Sequence, residues 1–271
     1  QHAWGLREPL SRAKRFYQPM TQLHPALVFY VGWDVGGWNC DKNGKSRDAI
    51  VILDSALQIV GKPWRGNLRA TLNAATGADA FVQALFALCG SPALASLGAE
   101  SARPATPRIT LAIDTPLGFS QALVGLATGL RCVEPIGQSN ANPYLFRYTE
   151  RFLFAHRLSP LSAIKDMIGS QATKGMHTLA KFAPHRTSCG VWTDTRHLVA
   201  IEAYPSACKK SQTMALLRQS YATLDHEDMT DALTCALVAY LFDQKREALA
   251  APDADVPLGE GWIWVPRDVL A

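Results

Sequence analysis

Three apolar runs that end at or contain a carboxylate constrain the fold of this chain most. Residues 27–34 (LVFYVGWD) and 108–114 (RITLAID) each end at an aspartate, and residues 198–204 (LVAIEAY) enclose a glutamate. Short apolar runs rich in β-branched and aromatic residues predict buried β-strands. An ionised carboxylate is rarely buried unless it is paired or binds a metal. These acids therefore indicate a functional site at the edge of a predicted sheet, where α/β proteins bind ligands.

The order of the other elements predicts the fold class. Residues 48–54 and 58–64 predict two more strands after the first, and the Gly, Asn and Asp residues before them predict turns. Such a strand–turn–strand–turn–strand order predicts an antiparallel meander. Helices are predicted at 78–89, 120–129 and 228–246, and a short last strand at 262–265. The sequence thus predicts an α/β fold with a central mixed β-sheet flanked by helices.

A chain of 271 residues suits one large domain with an insertion. We expect residues 1–26 to form an N-terminal arm and residues 27–271 to form the domain. Within it, residues 131–190 are less regular and predict a largely helical insertion that covers one face. Its predicted helices span 143–157 and 160–181, the second with a break at Gly169.

Composition limits the class of protein. The formal charge of +4 is too small to indicate nucleic acid by itself. None of the six cysteines forms a C-x-x-C pair, which argues against a structural zinc site. No apolar run approaches the roughly 18 residues of a membrane helix, and the first residues have no signal-peptide pattern. We therefore expect a cytoplasmic protein without a membrane partner, and the sequence identifies no stable protein partner.

The acids themselves form the candidate catalytic and metal-binding set. Asp34 and Asp114 end predicted strands, Glu202 lies inside one, and Asp228 and Asp231 share a face of the last long helix because they are three residues apart. Each could instead be a turn residue, or a partner of the helix dipole with Asp225 as the N-cap. Carboxylates suit Mg²⁺ or Mn²⁺, and two such ions can hold both oxygens of a phosphodiester displacement.

Further candidates are basic. His226 could transfer a proton near the acids, or it could be an exposed histidine at the start of the helix. Side chains that could contact the phosphates of a nucleic acid, or simply form a solvated surface, are Arg147, Arg151, Arg157, Lys209 and Lys210.

These segments together resemble a known family. The segments GWDVGGWNCD (32–41), AIDTPLGF (112–119), IEAYPSA (201–207) and HEDMTDALTCALVAYL (226–241) resemble, in the same order, the DUF429 family of predicted ribonuclease H-like nucleases. The ending GWIWVP (261–266) also resembles that family, and residues 142–163 do so more loosely. The resemblance covers most of residues 28–266.

The resemblance implies a ribonuclease H-like fold and metal-dependent nuclease activity. It assigns Asp34 to the first-strand acid at the centre of such sites, and it matches the other four acids to family positions. Better-known enzymes of this fold lack the Pro-Leu-Gly turn after Asp114 and the Glu-Ala-Tyr-Pro strand around Glu202, so the roles of these two acids stay open. We expect a hydrolase of DNA or RNA phosphodiester bonds that uses a two-metal mechanism.

Two other functions remain open. An ATP-using phosphotransferase of the actin and sugar-kinase branch would also have a first-strand Asp-x-Gly turn, as at Asp34–Gly36. That branch needs a second phosphate-binding loop, and here the matching place carries Pro116, which lacks an N–H. The other alternative is a non-catalytic nucleic-acid-binding protein, although the presence of all five acids argues against it.

Overall fold

The computed structural model describes residues 27–91 and 107–271, so the predicted arm at 1–26 lies outside the described residues. The described chain forms an α/β fold with a mixed sheet of eight strands flanked by helices. The strands are β1 (Val28–Asp34), β2 (Asp48–Asp54), β3 (Trp64–Gly66), β4 (Arg108–Asp114), β5 (His185–Ser188), β6 (Val191–Thr193), β7 (Leu198–Ala203) and β8 (Ile263–Trp264).

The strand order is β3-β2-β1-β4-β7-β6-β5, and β8 pairs with β7. β1 pairs with β2 and β2 pairs with β3, both in antiparallel orientation, which gives the predicted meander. β1, β4 and β7 run parallel, so their carboxyl ends meet at one edge of the sheet. This edge carries the acids that the sequence singled out.

Helices cover both faces of the sheet. They are α1 (Arg69–Ala74), α2 (Ala78–Leu88), α3 (Gln121–Gly129), α4 (Tyr148–Ala155), α5 (Gly169–Phe182), α6 (Pro205–Cys208), α7 (Gln212–Arg218) and α8 (Glu227–Gln244). One apolar cluster joins α2 and the end of α5 to alternate residues of β1, β2 and β4, and α8 packs on the opposite face. In the described part of the chain, no helix combines the length and apolarity needed to cross a membrane.

Gly32 lets α8 lie directly on β1. A Cβ at this position would overlap the backbone oxygen of Ala232 and the backbone nitrogen of Ala236. The glycine therefore sets the distance between helix and strand, and so the height of the α8 amino terminus above the edge that carries the acids. A strand glycine of this kind marks a close approach of backbones.

Several predicted elements differ from the structure, and the helix predicted at 160–181 begins only at Gly169. The third strand begins at Trp64 rather than spanning 58–64, because Gly61 has a φ of +71° and Pro63 cannot donate to the ladder. Only one isolated bridge, Leu53 to Ile59, remains of the predicted pairing. The segment predicted as a largely helical insertion, 131–190, holds helices α4 and α5, but its last residues enter the sheet as β5.

Candidate functional site

Asp34 and Asp114 are neighbours across two parallel strands. They pair directly in the register of β1 and β4. Side chains alternate along a strand, so Asp34 shares its face with Tyr30 and Gly32, and Asp114 shares its face with Ala112. Tyr30 and Ala112 belong to the apolar cluster under α8. Both carboxylates therefore lie on the α8 side of the sheet.

A cavity of about 460 Å³ opens above these two acids. Asp34, Asp114, Glu202 and Asp231 all contribute to its lining, and Asp231 comes from the second turn of α8. Four of the five predicted acids thus line one pocket, although their positions in the sequence range from 34 to 231. The other walls are mostly uncharged and are formed by Val35, Thr115, Pro116, Ser159, Pro160, Leu161, Ile168, Gln171, Ala203, Tyr204, Ser206 and Ile263.

Burial and mutual repulsion raise the pKa values of these acids. Burial, followed by the charges of Asp114, Asp228 and Asp231, raises the pKa of Asp34 to about 9. Burial and the charges of Asp231 and Glu202 raise the pKa of Asp114 to about 8. Burial also raises the pKa of Asp231. Carboxylates whose ionisation is disfavoured in this way are suited to binding a cation.

The polar atoms around the acids have unused bonding capacity. Asp231 Oδ1 and Thr115 Oγ1 are buried and have no hydrogen-bond partner among the residues that the structure describes. Such orphaned atoms are rare in proteins and need an explanation, for which an ion that binds oxygen is one. Among residues 27–91 and 107–271, no three His, Cys, Asp or Glu side chains are arranged to hold one metal ion as they stand.

Glu202 lies at the same edge but on the other face of its strand. Its alternation partners Leu198 and Ala200 pack in the cluster opposite α8. Both carboxylate oxygens are occupied: Arg147 Nη2 donates to Oε1 at 2.6 Å and Nη1 to Oε2 at 2.8 Å, and Leu117 N donates to Oε2 at 2.9 Å. Glu202 therefore fixes the turn that follows Asp114, and its predicted metal role stays a prediction.

Arg147 is placed differently from the sequence prediction. Its side chain is only 3% exposed, and its remaining N–H groups reach Glu150 and the backbone oxygen of Glu260. All five guanidinium donors thus have acceptors inside the protein. The predicted contact of Arg147 with phosphate is inconsistent with this burial, because the side chain joins α4 to the edge of the sheet.

Asp228 and His226 organise the start of α8. Asp228 Oδ2 accepts hydrogen bonds from Arg65 Nε at 2.7 Å and from Arg47 N at 3.0 Å. His226, rather than Asp225, is the N-cap, and its Nδ1 accepts from Asp228 N at 3.1 Å. Both residues therefore have structural partners, and the catalytic roles predicted for them remain predictions.

The other basic candidates are exposed. Lys209 forms an ion pair with Glu227 at 3.2 Å, and its charge opposes the rise in the pKa values of Asp114 and Asp231. It is therefore close to the carboxylates. Arg151, Arg157 and Lys210 are also exposed, and Arg151 lies over the ring of Tyr148. The structure is compatible with phosphate contacts by these four side chains.

A buried ion pair behind Asp34 was missed by the sequence analysis. Asp48 and Lys174 are both fully buried and in contact. Asp48 also accepts from Trp33 Nε1 at 3.0 Å and from Gly36 N at 2.9 Å, so the pair anchors the turn that follows Asp34. The only signal for Asp48 is its place at the start of a strongly apolar strand. Nothing in the sequence distinguishes Lys174 from the exposed Lys181 of the same helix.

Comparisons with other proteins do not contribute to the functional assignment, which rests on the geometry of the site. No protein-family model matches the chain, and searches of curated proteins and of solved structures found no significant match.

Proposed function

We propose that this chain is a metal-dependent nuclease with a ribonuclease H-like fold, related to the DUF429 family, that hydrolyses phosphodiester bonds of DNA or RNA. The observation that carries the proposal is that Asp34, Asp114 and Asp231 line one pocket, and that none of the three forms an ion pair with another of the described residues. The antiparallel meander followed by parallel β4 and β7 supports the fold assignment, with the acid at the end of the first strand as the centre of the site.

The residues present fit Mg²⁺ or Mn²⁺ in donor chemistry and in charge. Asp34, Asp114 and Asp231 would hold the metal, with Thr115 Oγ1 as a neutral oxygen beside them. Hard cations prefer such oxygen ligands, and a divalent charge offsets the repulsion that now raises the pKa values of the acids. When bound, the metal supplies a polarised phosphate and a water that ionises more easily.

The other residues of the site have positioning roles in this proposal. Glu202, bound by Arg147, holds Leu117 N and so fixes the turn after Asp114. Asp228, bound by Arg65, fixes the first turn of α8 and so the place of Asp231. Lys209 puts a positive charge near the acids, where it attracts the phosphate of a substrate.

The phosphotransferase alternative is less well supported. That reaction needs free backbone N–H groups after Asp114 to hold a nucleotide phosphate. Pro116 has none, Leu117 N already donates to Glu202, and a side chain at Gly118 would collide with the backbone of Glu260. Positions 116 and 117 therefore offer no free N–H group to a phosphate.

Metal binding and strand cleavage test the proposal together. We expect Mn²⁺ to raise the melting temperature of the wild type and to support cleavage of a labelled oligonucleotide, and we expect Asp34→Asn to lose both effects. Asp54→Asn is the matched control, because Asp54 ends the neighbouring strand β2 and its Oδ1 accepts from Ala56 N and Gln58 N. A metal-dependent shift that persists in Asp34→Asn, or turnover of ATP without strand cleavage, would contradict the proposal.

A further inference from the structure

One side of the pocket is closed by residues 158–168, which join α4 to α5 and are called the cover segment here. Ser159, Pro160, Leu161 and Ile168 of this segment line the pocket. Tyr204, which directly follows β7, donates a hydrogen bond to Ser159 O at 2.8 Å. The cover segment is thus fastened to the same edge of the sheet that carries the carboxylates.

Internal contacts hold the cover segment in one shape. Ser162 Oγ donates to Leu145 O, and Ser162 N donates to Asp166 Oδ2 at 2.7 Å. Arg157, which directly precedes the segment, and Met167, its second-last residue, have φ values of +59° and +58°, so the chain turns sharply at the start and near the end of the segment. The pocket is therefore bounded by an ordered wall.

The wall and the floor of the pocket differ in chemistry. The floor carries the carboxylates, whereas Pro116, Pro160, Leu161 and Ile168 present apolar surface. Leu161 lines the pocket and is still 52% exposed, so it has apolar surface left to contact a ligand. A site of this kind suits a ligand with one flat apolar part and one charged part.

The size and surroundings of the pocket indicate which ligand. Its volume of about 460 Å³ lies in the range of roughly 300–1,000 Å³ that small organic ligands occupy, and the cover segment closes one side of it. Three exposed cations lie nearby. Lys165 lies in the cover segment and pairs with Asp166, Arg157 directly precedes the segment, and Lys209 lies near the carboxylates and pairs with Glu227. Positive charge near a pocket favours a polyanion.

We propose that the pocket receives one nucleotide of a single-stranded nucleic acid, with its base against the cover segment and its phosphodiester at the carboxylates. The inference rests on the proposed nuclease function and names its substrate class. A base inside a duplex is stacked and paired on both sides, and it must leave the stack to enter an enclosed site. Unstacked bases of single strands are instead free to pack against protein side chains.

Binding without metal tests the substrate class apart from cleavage. A fluorescent single strand of about 12 nucleotides and the blunt duplex of the same sequence are titrated with wild-type protein in EDTA, and anisotropy is measured. We expect the single strand to bind about tenfold more tightly than the duplex. Leu161→Ala and Tyr204→Phe should each weaken binding of the single strand about fivefold, and Leu216→Ala, which changes a leucine 56% exposed outside the pocket, should not.

Each outcome separates the two proposals. Equal or tighter binding of the duplex overturns the single-strand inference, as does unchanged affinity in both cover variants once thermal melts show that they fold. Mn²⁺-dependent cleavage of both substrates at equal rates also overturns it while supporting the nuclease. Selective binding of the single strand without any cleavage supports the inference about the ligand and removes the proposed nuclease activity.

Discussion

The surroundings of Asp34 disfavour the ionised form of its carboxyl group. The pKa of this carboxyl is about 9 in the folded chain, against an ordinary value of 3.8. Between these two pH values the unfolded chain releases a proton that the folded chain retains, so stability falls as the pH rises. Conflict of this kind between local chemistry and stability is typical of functional sites.

The first prediction follows from this fall in stability with rising pH. Asp34→Asn should stabilise the metal-free protein at pH 8 by about 1–3 kcal/mol, which raises the melting temperature by roughly 2–10 °C. The gain should shrink towards about pH 3, where Asp34 is mostly protonated in both states. Thermal melts in EDTA across this range measure the effect, with Asp54→Asn as the control that gives no such gain. A metal-free Asp34→Asn protein less stable than wild type at pH 8 would contradict the assignment of strain to Asp34.

Arg147, unlike Asp34, stabilises the folded protein. Removing it leaves Glu150 and Glu202 buried without a cation, and breaking a buried ion pair in this way costs about 3–5 kcal/mol. We predict a loss of this size for Arg147→Met in urea unfolding. Arg151→Met, at an exposed position four residues later in α4, should change stability by less than about 0.5 kcal/mol. Equal effects of the two substitutions would show that the Arg147 cluster is not a structural anchor.

That Glu202 faces away from α8 could be predicted only in part. Side chains alternate along a strand, and the sequence already placed apolar residues at 198, 200, 201 and 203. What the sequence could not provide is which face of β7 meets α8, because that depends on how the strands assemble. The meeting of Asp34 and Asp114, in contrast, needed only two parallel strands of equal length that end at aspartate.

At the scale of elements, the contact between α8 and β1 determines the site. Gly32 is the place where the two backbones approach most closely, and α8 carries Asp231 to the pocket. A methyl group at this position must push the helix away from the strand. Because the helix is packed along β1, β2 and β4, such a shift disturbs the core as well as the site.

Gly32→Ala should therefore destabilise the protein by about 2–4 kcal/mol and reduce the Mn²⁺-induced rise in melting temperature. Gly44→Ala is the matched control, because a Cβ at Gly44 would meet nothing within 4 Å. Urea unfolding and thermal melts with and without Mn²⁺ measure the two effects. Unchanged stability in Gly32→Ala would mean that α8 can move away from β1 at no cost in free energy. The distance between helix and strand would then not determine the geometry of the site.

Elements with a strong apolar pattern were predicted well, and those without one were missed. β2 and β4 have the predicted bounds and β1 begins one residue later than predicted, because their buried side chains form continuous apolar runs. The hairpin of β5 and β6 gave no signal, since His185–Ser188 is polar and fully exposed and β6 has three residues. Its place in the sheet depends on pairing with β7, which no local pattern encodes.

For the whole molecule, the segment 131–190 divides into two parts with different surroundings. Residues 131–140 are exposed throughout. In α5, by contrast, Leu179 and Phe182 belong to the apolar core, and Phe182 stacks on Phe81 of α2 with ring centroids 4.4 Å apart. The second part is therefore one of the layers of the fold, although its sequence suggested an added covering.

Hydrogen exchange should separate these two parts. Backbone amides open locally at low free energy where few apolar contacts hold them, and only with global unfolding where the core covers them. We predict that peptides from 131–141 exchange within the earliest time points, whereas peptides from α5 exchange as slowly as those from β1 and β4. Mass spectrometry of deuterated peptides checks this order, with the exposed edge strand β5 as a fast-exchanging internal reference. Uniform exchange across 131–190, at a rate unlike that of the sheet, would instead favour a separately folding insertion, as the sequence alone suggested.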